Sequence, residues 1–301
     1  MIKVNNFRIT REEFPDGTQR LLNFDENSIN WGMNNEVVIT WLYENDAEMG
    51  TLLFLTNHIK ETFNSYSKLK LVMPYVPNGR MDRTKSDCEV FTLKYFCDFI
   101  NFLGFDRVSV FDPHSDVTPA LIRNVEVITP NKIIDDVLNE IEVTKDTPVY
   151  NGTTIIYFPD AGAMKRYKDM PRLKGYEIIY GEKDRDWRTG KIVGLKVFNQ
   201  KGERIDNMDG YLSGKSVLMI DDIISYGGTL AYSADALKKI GAAYIYVYAS
   251  HVEKSIVDAN VNKVKERLDN EVITEVFTTN SLYNDENIEA CFENITVIHE
   301  F

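Results

Sequence analysis

Short runs rich in Val, Ile and Tyr alternate along this chain with amphipathic stretches of helical period. Asp46 to Ser65 carries Met49, Leu52, Leu53, Ile59 and Phe63 at near-helical spacing, and LKLVMP (69–74) follows as a strand. Val90, Leu93, Cys97 and Ile100 mark the next helix, RVSVF (107–111) the next strand, and Ile134, Val137, Leu138 and Ile141 a further helical face. The second half repeats the theme with TTIIYF (153–158), YEIIY (176–180), KIVGLKVF (191–198), SVLMI (216–220), AYIYVYAS (243–250) and VITEVF (272–277). Helical patterns lie at 228–241 and 252–268. Strands that are apolar on both faces and alternate with helices predict an α/β fold of largely parallel sheets covered by helices on both sides.

The chain has 301 residues, and a prior of about 150 residues per domain gives two domains. The pattern divides near Thr144 to Gly152, which sets domains at 1–146 and 147–301. The formal net charge is −12, which argues against a protein that coats nucleic acid or an anionic membrane and leaves room for a local basic pocket. Hydrophobic residues make up 44 % and charged residues 27 %, as in a chain with a real core. No apolar run is long enough to span a bilayer, and the opening MIKVNNFRITREEF has none of signal-peptide length. Three cysteines (Cys88, Cys97, Cys291) cannot all pair, and none stands in C-x-x-C spacing. A reducing cytoplasm is the expected setting.

In parallel α/β sheets, ligands sit just past the carboxyl ends of strands. The sharpest segment there is Ser216 to Leu230, SVLMIDDIISYGGTL. An apolar strand ends in Asp221 and Asp222. A loop with Ser225, Tyr226, Gly227, Gly228 and Thr229 follows, and a helix begins near Leu230. Glycines let backbone N–H groups approach an anion, the helix start adds positive potential, and Ser225 and Thr229 add hydroxyl donors. The two acids would repel a bare phosphate, so ribose hydroxyls or a divalent cation are better partners for them. The plain alternative is an acidic cap followed by a glycine turn.

This segment resembles the phosphoribosyl-pyrophosphate (PRPP) loop of type I phosphoribosyltransferases and of ribose-phosphate pyrophosphokinases. The other loops point to the second group. YVPNGRMDR (75–83) resembles that family's Y-F-P-Y-A-R-Q-D-R, FDPHS (111–115) its D-L-H-S, and FPDAGAMKR (158–166) its P-D-x-G-x-x-K-R. EKDRD (182–186) resembles the K-x-R of its mobile catalytic loop, and EFPDGT (13–18) the F-x-D-G-E near its N-terminus. NDAEMGTLLFL (45–55) is similar to its first long helix, and ITVIHEF (295–301) to its last strand.

The resemblance implies two phosphoribosyltransferase-like domains, the first on the ATP side, the second carrying the ribose 5-phosphate loop. It implies transfer of the β,γ-pyrophosphoryl group of MgATP to the anomeric hydroxyl of ribose 5-phosphate, giving PRPP and AMP for nucleotide or NAD synthesis. Such transfer needs cations that neutralise and align the moving group. Lys183 and Arg185 would supply them from a closing loop; the alternative is a solvated hairpin tip. Phe14, Asp16, Gly17 and Thr18 are expected at ATP, with Phe14 against adenine, in a site shared with a neighbouring subunit. The enzyme would then be a homodimer or a larger homo-oligomer. A buried core Phe is the alternative for Phe14. Arg80 suits the ATP phosphates and Met81 the adenine side. His114 and Asp160 are the expected magnesium contacts, although a capped surface histidine is the plainer reading of His114, since magnesium prefers oxygen. Asp221, Asp222, Ser225, Tyr226, Gly227, Gly228 and Thr229 are expected at ribose 5-phosphate. Lys165 and Arg166 fit structural pairing as well as ligand contact.

The family pattern is broken at several points. The elements that usually open the family and its terminal helix are expected to be missing, giving a minimal enzyme altered in regulation. Met81 stands for the usual Gln, Thr18 for Glu, and Tyr226 where Thr is common. Two other readings compete: a PRPP-consuming phosphoribosyltransferase, and a catalytically silent relative acting as a regulatory subunit. The first would not need the EKDRD and FDPHS segments, and the second would be expected to lose Lys183 or the metal residues.

Overall fold

The computed structural model of the chain describes residues 1–5, 7–22, 36–62, 68–143, 154–185, 192–282 and 294–301. They form two compact units, Met1–Thr129 with Phe301, and Pro130–Glu300. The sequence reading carries the first domain to residue 146. By contacts, the helix Asn131–Val143 groups with the second unit instead, where Glu142 accepts from the Tyr176 hydroxyl (2.6 Å) and Asn139 from Arg172 (3.0 Å). Residues 144–152, Cys291, residues 186–191 and the side chain of Arg185 lie outside the described residues.

Unit 1 runs β1 (Ile2–Val4), β2 (Phe7–Arg8), β3 (Thr10–Glu13), β4 (Gln19–Leu22), β5 (Glu36–Trp41), α1 (Glu48–Thr62), β6 (Lys68–Val72), α2 (Thr92–Leu103), β7 (Arg107–Phe111), α3 (Val117–Leu121) and β8 (Val125–Ile128). Its main sheet has the order β2-β1-β5-β6-β7-β8, parallel from β5 onward, while β3 and β4 form a separate antiparallel hairpin. The apolar positions explain the layers. Val37, Ile39 and Trp41 alternate into the core from β5, and α2 buries Leu93, Phe96, Cys97, Ile100 and Leu103 at helical spacing. Gly104 ends α2 in the left-handed conformation.

Unit 2 continues with α4 (Asn131–Val143), β9 (Thr154–Phe158), α5 (Ala161–Tyr167), β10 (Ile178–Arg185), β11 (Ile192–Asn199), β12 (Ser216–Ile224), α6 (Gly228–Lys239), β13 (Tyr244–Val252), α7 (Lys263–Asp269), β14 (Glu275–Thr279) and β15 (Ile295–Ile298). Its sheet order is β11-β10-β9-β12-β13-β14-β15, all parallel except the β10–β11 hairpin. Val217, Leu218, Met219 and Ile220 are consecutive and all fully buried, because both faces of β12 are covered. Among the described residues, no helix is long and apolar enough to cross a membrane.

The structure departs from the pattern at 252–268, which reads as one helix and is instead a 3₁₀ turn (Lys254–Val257) followed by the short α7. Asp258 and Asn262 explain the break. Each uses its side-chain oxygen on a backbone N–H, Asp258 on Asn260 (2.9 Å) and Asn262 on Val264 and Lys265 (2.9 and 3.1 Å), which competes with continuous helix.

Tyr157 on β9 is fully buried, and its hydroxyl donates to Ser233 on α6 (2.8 Å). Gly181 on β10 leaves room for that ring: a Cβ there would collide with the Tyr157 hydroxyl and lie 3.2 Å from Pro159 O. Gly181→Ala is therefore expected to destabilise the protein by about 2 kcal/mol in urea unfolding. Tyr157→Phe in the same chain should recover part of that loss, although alone it leaves Ser233 without its partner.

Candidate functional site

The carboxyl end of β12 collects charge. Asp221 and Asp222 close its apolar run, and Asp222 is 3 % exposed. A carboxylate so placed needs a partner, and Arg166 of α5 supplies it, with Nη2 2.5 Å from Asp222 Oδ1 and 3.7 Å from Asp221 Oδ1. The Arg166 guanidinium also lies 5.2 Å from the centroid of the Tyr167 ring. The Asp222 N–H donates to Asp221 Oδ1 (3.0 Å). Burial pushes the Asp221 carboxyl well above the usual carboxylate range, and the charges of Asp222 and Asp160 add to that push against the pull of Arg166.

Asp160 ends the β9 turn in extended conformation and caps α5, its Oδ1 accepting from Gly162 N (3.0 Å) and Ala163 N (3.1 Å). Its other oxygen takes Lys183 Nζ at 3.0 Å. Burial raises the Asp160 carboxyl, but the Ala163 N–H, Lys183 and the Gly162 N–H outweigh it and hold the group below its ordinary value. Lys183 sits on β10 opposite Leu195 of β11, so the EKDR stretch enters an antiparallel hairpin as strand. Unit 2 therefore joins Asp160, Lys183, Arg166, Asp221 and Asp222 in one electrostatic cluster.

The glycine loop follows directly. Ser225, Gly227, Gly228 and Thr229 are half-buried and Tyr226 is 64 % exposed. Gly227 takes φ +71°, and a Cβ there would meet Val264 Cγ2 at 2.6 Å, so the loop is pressed against the start of α7. The Ser225 hydroxyl donates to Glu253 Oε2 (2.7 Å), which commits its single hydrogen in this state. Glu253, Ser255 and Asn262, all contacting Ser225, are absent from the sequence-based site. The only signal was the run of Asx residues inside an apparent helix.

Unit 1 gathers a second set. Phe14 is 49 % exposed, so it is no core residue. It opens the β3–β4 turn, with its N–H donating to Thr18 O (2.8 Å) and the Gly17 N–H to Phe14 O (2.8 Å). The Thr18 hydroxyl and N–H both donate to Asp16 Oδ1 (2.6 and 2.9 Å), which holds the Asp16 carboxyl below its ordinary value. Arg80 and Met81 are exposed on the segment after β6, and His114 follows β7 half-buried. The two segments meet where an ideal Cβ on Gly79 would stand 3.9 Å from His114 Cβ.

The donors suit magnesium in kind. Asp160, Asp221 and Asp222 present oxygen, and Arg166 lies within reach of both Asp221 and Asp222. Among the described residues, no three acidic, histidine or cysteine side chains form a ready metal cage. Magnesium is commonly held by one or two carboxylates, with waters and substrate phosphates completing the shell.

A family model described as phosphoribosyl transferase domain matches residues 170–283. The ribose-phosphate pyrophosphokinase of Thermococcus kodakarensis is 27 % identical over 269 residues, covering 89 % of this chain and 85 % of the relative. That of Pyrococcus furiosus is 30 % identical over 243 residues, covering 80 % and 76 %. The crystal structure of phosphoribosylpyrophosphate synthetase from Mycobacterium smegmatis shares the fold, with a TM-score of 0.71 at 20 % identity over 97 % of this chain and 86 % of that one.

The buried pair makes a direct prediction. Arg166→Gln takes the paired cation from buried Asp222 and should cost about 3 kcal/mol of stability. Arg166→Gln with Asp222→Asn should cost less than the sum of the single changes by about 1 kcal/mol or more, read from a double-mutant cycle in urea.

Proposed function

The chain belongs to the ribose-phosphate pyrophosphokinase family, and we propose that it makes PRPP by transferring pyrophosphate from MgATP to the C1 hydroxyl of ribose 5-phosphate. The anomeric oxygen forms a bond to the β-phosphorus of ATP, the bond from that phosphorus to the oxygen of the α-phosphate breaks, AMP leaves, and the hydroxyl proton passes to solvent. PRPP then serves nucleotide or NAD synthesis.

The observation that carries this reading is the pairing of Lys183 with Asp160 beside the Asp221–Asp222 strand end. It joins a strand-borne cation, an acidic cluster and a phosphate-type loop within one unit. Asp221, the more accessible of the two acids, accepts the ribose hydroxyls with Asp222 held behind it on Arg166, and the loop Ser225–Thr229 receives the 5-phosphate on its N–H groups. Lys183 uses one of its three hydrogens on Asp160 and has two more for the moving phosphates. Arg185 adds a second cation on the same strand. In unit 1, Arg80 and His114 face the ATP phosphates, Phe14 offers a ring to adenine, and Asp16, Gly17, Thr18 and Met81 complete the nucleotide surface. The exposed Phe14 turn serves the nucleotide site of a second copy in a homo-oligomer. One magnesium near His114 and a second at Asp160 would each neutralise charge on the phosphate bound there.

Purified protein with MgATP and ribose 5-phosphate should release AMP and PRPP in equal amounts by chromatography; no AMP would overturn the reading. Lys183→Ala should lower turnover by about 10²–10³-fold, with only a modest fall in melting temperature from the lost, partly exposed pair with Asp160. Turnover near wild type would remove Lys183 from its role. Asp221→Asn should weaken ribose 5-phosphate binding by calorimetry more than ATP binding; the reverse order would exchange the two substrate sites.

A further inference from the structure

The loop after β12 rests on a polar shelf supplied by residues some thirty to forty positions further along the chain. Asn262 is fully buried and uses the whole hydrogen-bonding capacity of its amide. Its Oδ1 accepts from Val264 N (2.9 Å) and Lys265 N (3.1 Å), while its Nδ2 donates to Ser225 O (2.7 Å) and Ser255 Oγ (3.0 Å). That set of partners fixes which way the amide faces, since a flip would set oxygen against the Ser225 carbonyl. The Ser255 hydroxyl donates to the same carbonyl at 2.8 Å, and the Lys263 N–H donates to Tyr226 O at 2.8 Å.

Two successive carbonyls, Ser225 and Tyr226, are thus turned toward the shelf. In a trans peptide the N–H points opposite to the C=O of the same plane. The N–H groups of Tyr226 and Gly227 are therefore turned to the open side of the loop, next to the first N–H groups of α6, which have no intrahelical acceptor. Among the described residues, the N–H groups of Tyr226 and Gly227 donate to no other group. Consecutive N–H groups on one side make an anion-binding concavity. Its orientation comes from the shelf behind the loop.

We propose that Asn262 and Ser255 are positioning residues for the 5-phosphate of ribose 5-phosphate. They touch no substrate and set the peptide planes that do. The proposal rests on the assignment of 216–230 as the ribose 5-phosphate loop.

The test uses the full chain, with calorimetry of ribose 5-phosphate and, separately, of MgATP. Serine caps a helix about as well as asparagine but is too short to reach the Ser225 carbonyl, so Asn262→Ser isolates the loop contact from the α7 cap. Asn262→Ser and Ser255→Ala should each bind ribose 5-phosphate about tenfold more weakly. In both, MgATP binding should stay within about twofold and the KM for ribose 5-phosphate should rise more than kcat falls. Asn262→Ala, which also loses the cap, should melt lower than Asn262→Ser. Unchanged ribose 5-phosphate affinity in both variants would overturn the proposal, as would loss of both ligands in step with stability. Should Asn262→Ser fail to fold, Ser255→Ala decides alone by the same measurements. Wild-type protein that binds no ribose 5-phosphate would instead overturn the substrate assignment, and the shelf's role with it.

Discussion

A strand buried on both faces that carries two adjacent carboxylates near its end creates an electrostatic demand, and much of unit 2 answers it. Asp222 is nearly inaccessible, so Arg166 must come to it. Arg166 comes from α5, whose first turn is capped by Asp160. Asp160 in turn has one oxygen left for Lys183, which brings β10 into the same cluster. Four elements, β9, α5, β10 and β12, are thus joined by a chain of alternating charges, and each link is placed by the one before it. Burial, joined by the charges of Asp222 and Asp160, holds the Asp221 carboxyl above the usual carboxylate range against the pull of Arg166.

The alternation of apolar strands and amphipathic helices was enough to read the α/β class, because a fully covered strand such as β12 needs an unbroken apolar run. Pattern alone was weaker in the first 45 residues. There β5 buries only Val37, Ile39 and Trp41 on one side, and β1 and β2 are too short for a period to register. Both acids, the glycine loop and Lys183 were legible because each belongs to a short, local run of distinctive residue types. The support behind them was not. Asn262 acts on Ser225 from 37 residues away, and Arg166 meets Asp222 across 56. Pairings of that separation are products of topology, and a single sequence carries little trace of them. The one trace available, Asp258 and Asn262 inside an apparent helix, marked a break whose purpose only the folded arrangement explains.

The two units place their candidate residues by the same local device. In each, a strand ends and the segment after it carries the candidate residues: Arg80 and Met81 after β6, His114 after β7, Asp160 after β9, and the glycine loop after β12. Carbonyl-to-amide bonds then tie neighbouring segments within a unit, as when Phe111 N donates to Pro74 O (3.0 Å) and Glu253 N to Ile224 O (2.9 Å). Chemistry is carried on turns, but the turns are anchored to rigid ladders.

The β10–β11 ladder carries a further implication for how this chain tolerates change in length. Lys183 is held opposite Leu195, and the pairing shifts between Asp184 and Arg185. Adjacent residues of a strand look to opposite faces, so slippage by a single position would present the acid of Glu182 where the lysine now stands. Insertions and deletions in this hairpin should accordingly be sorted by where they fall. Those between Ile178 and Lys183 would reverse the sign of the charge facing Asp160.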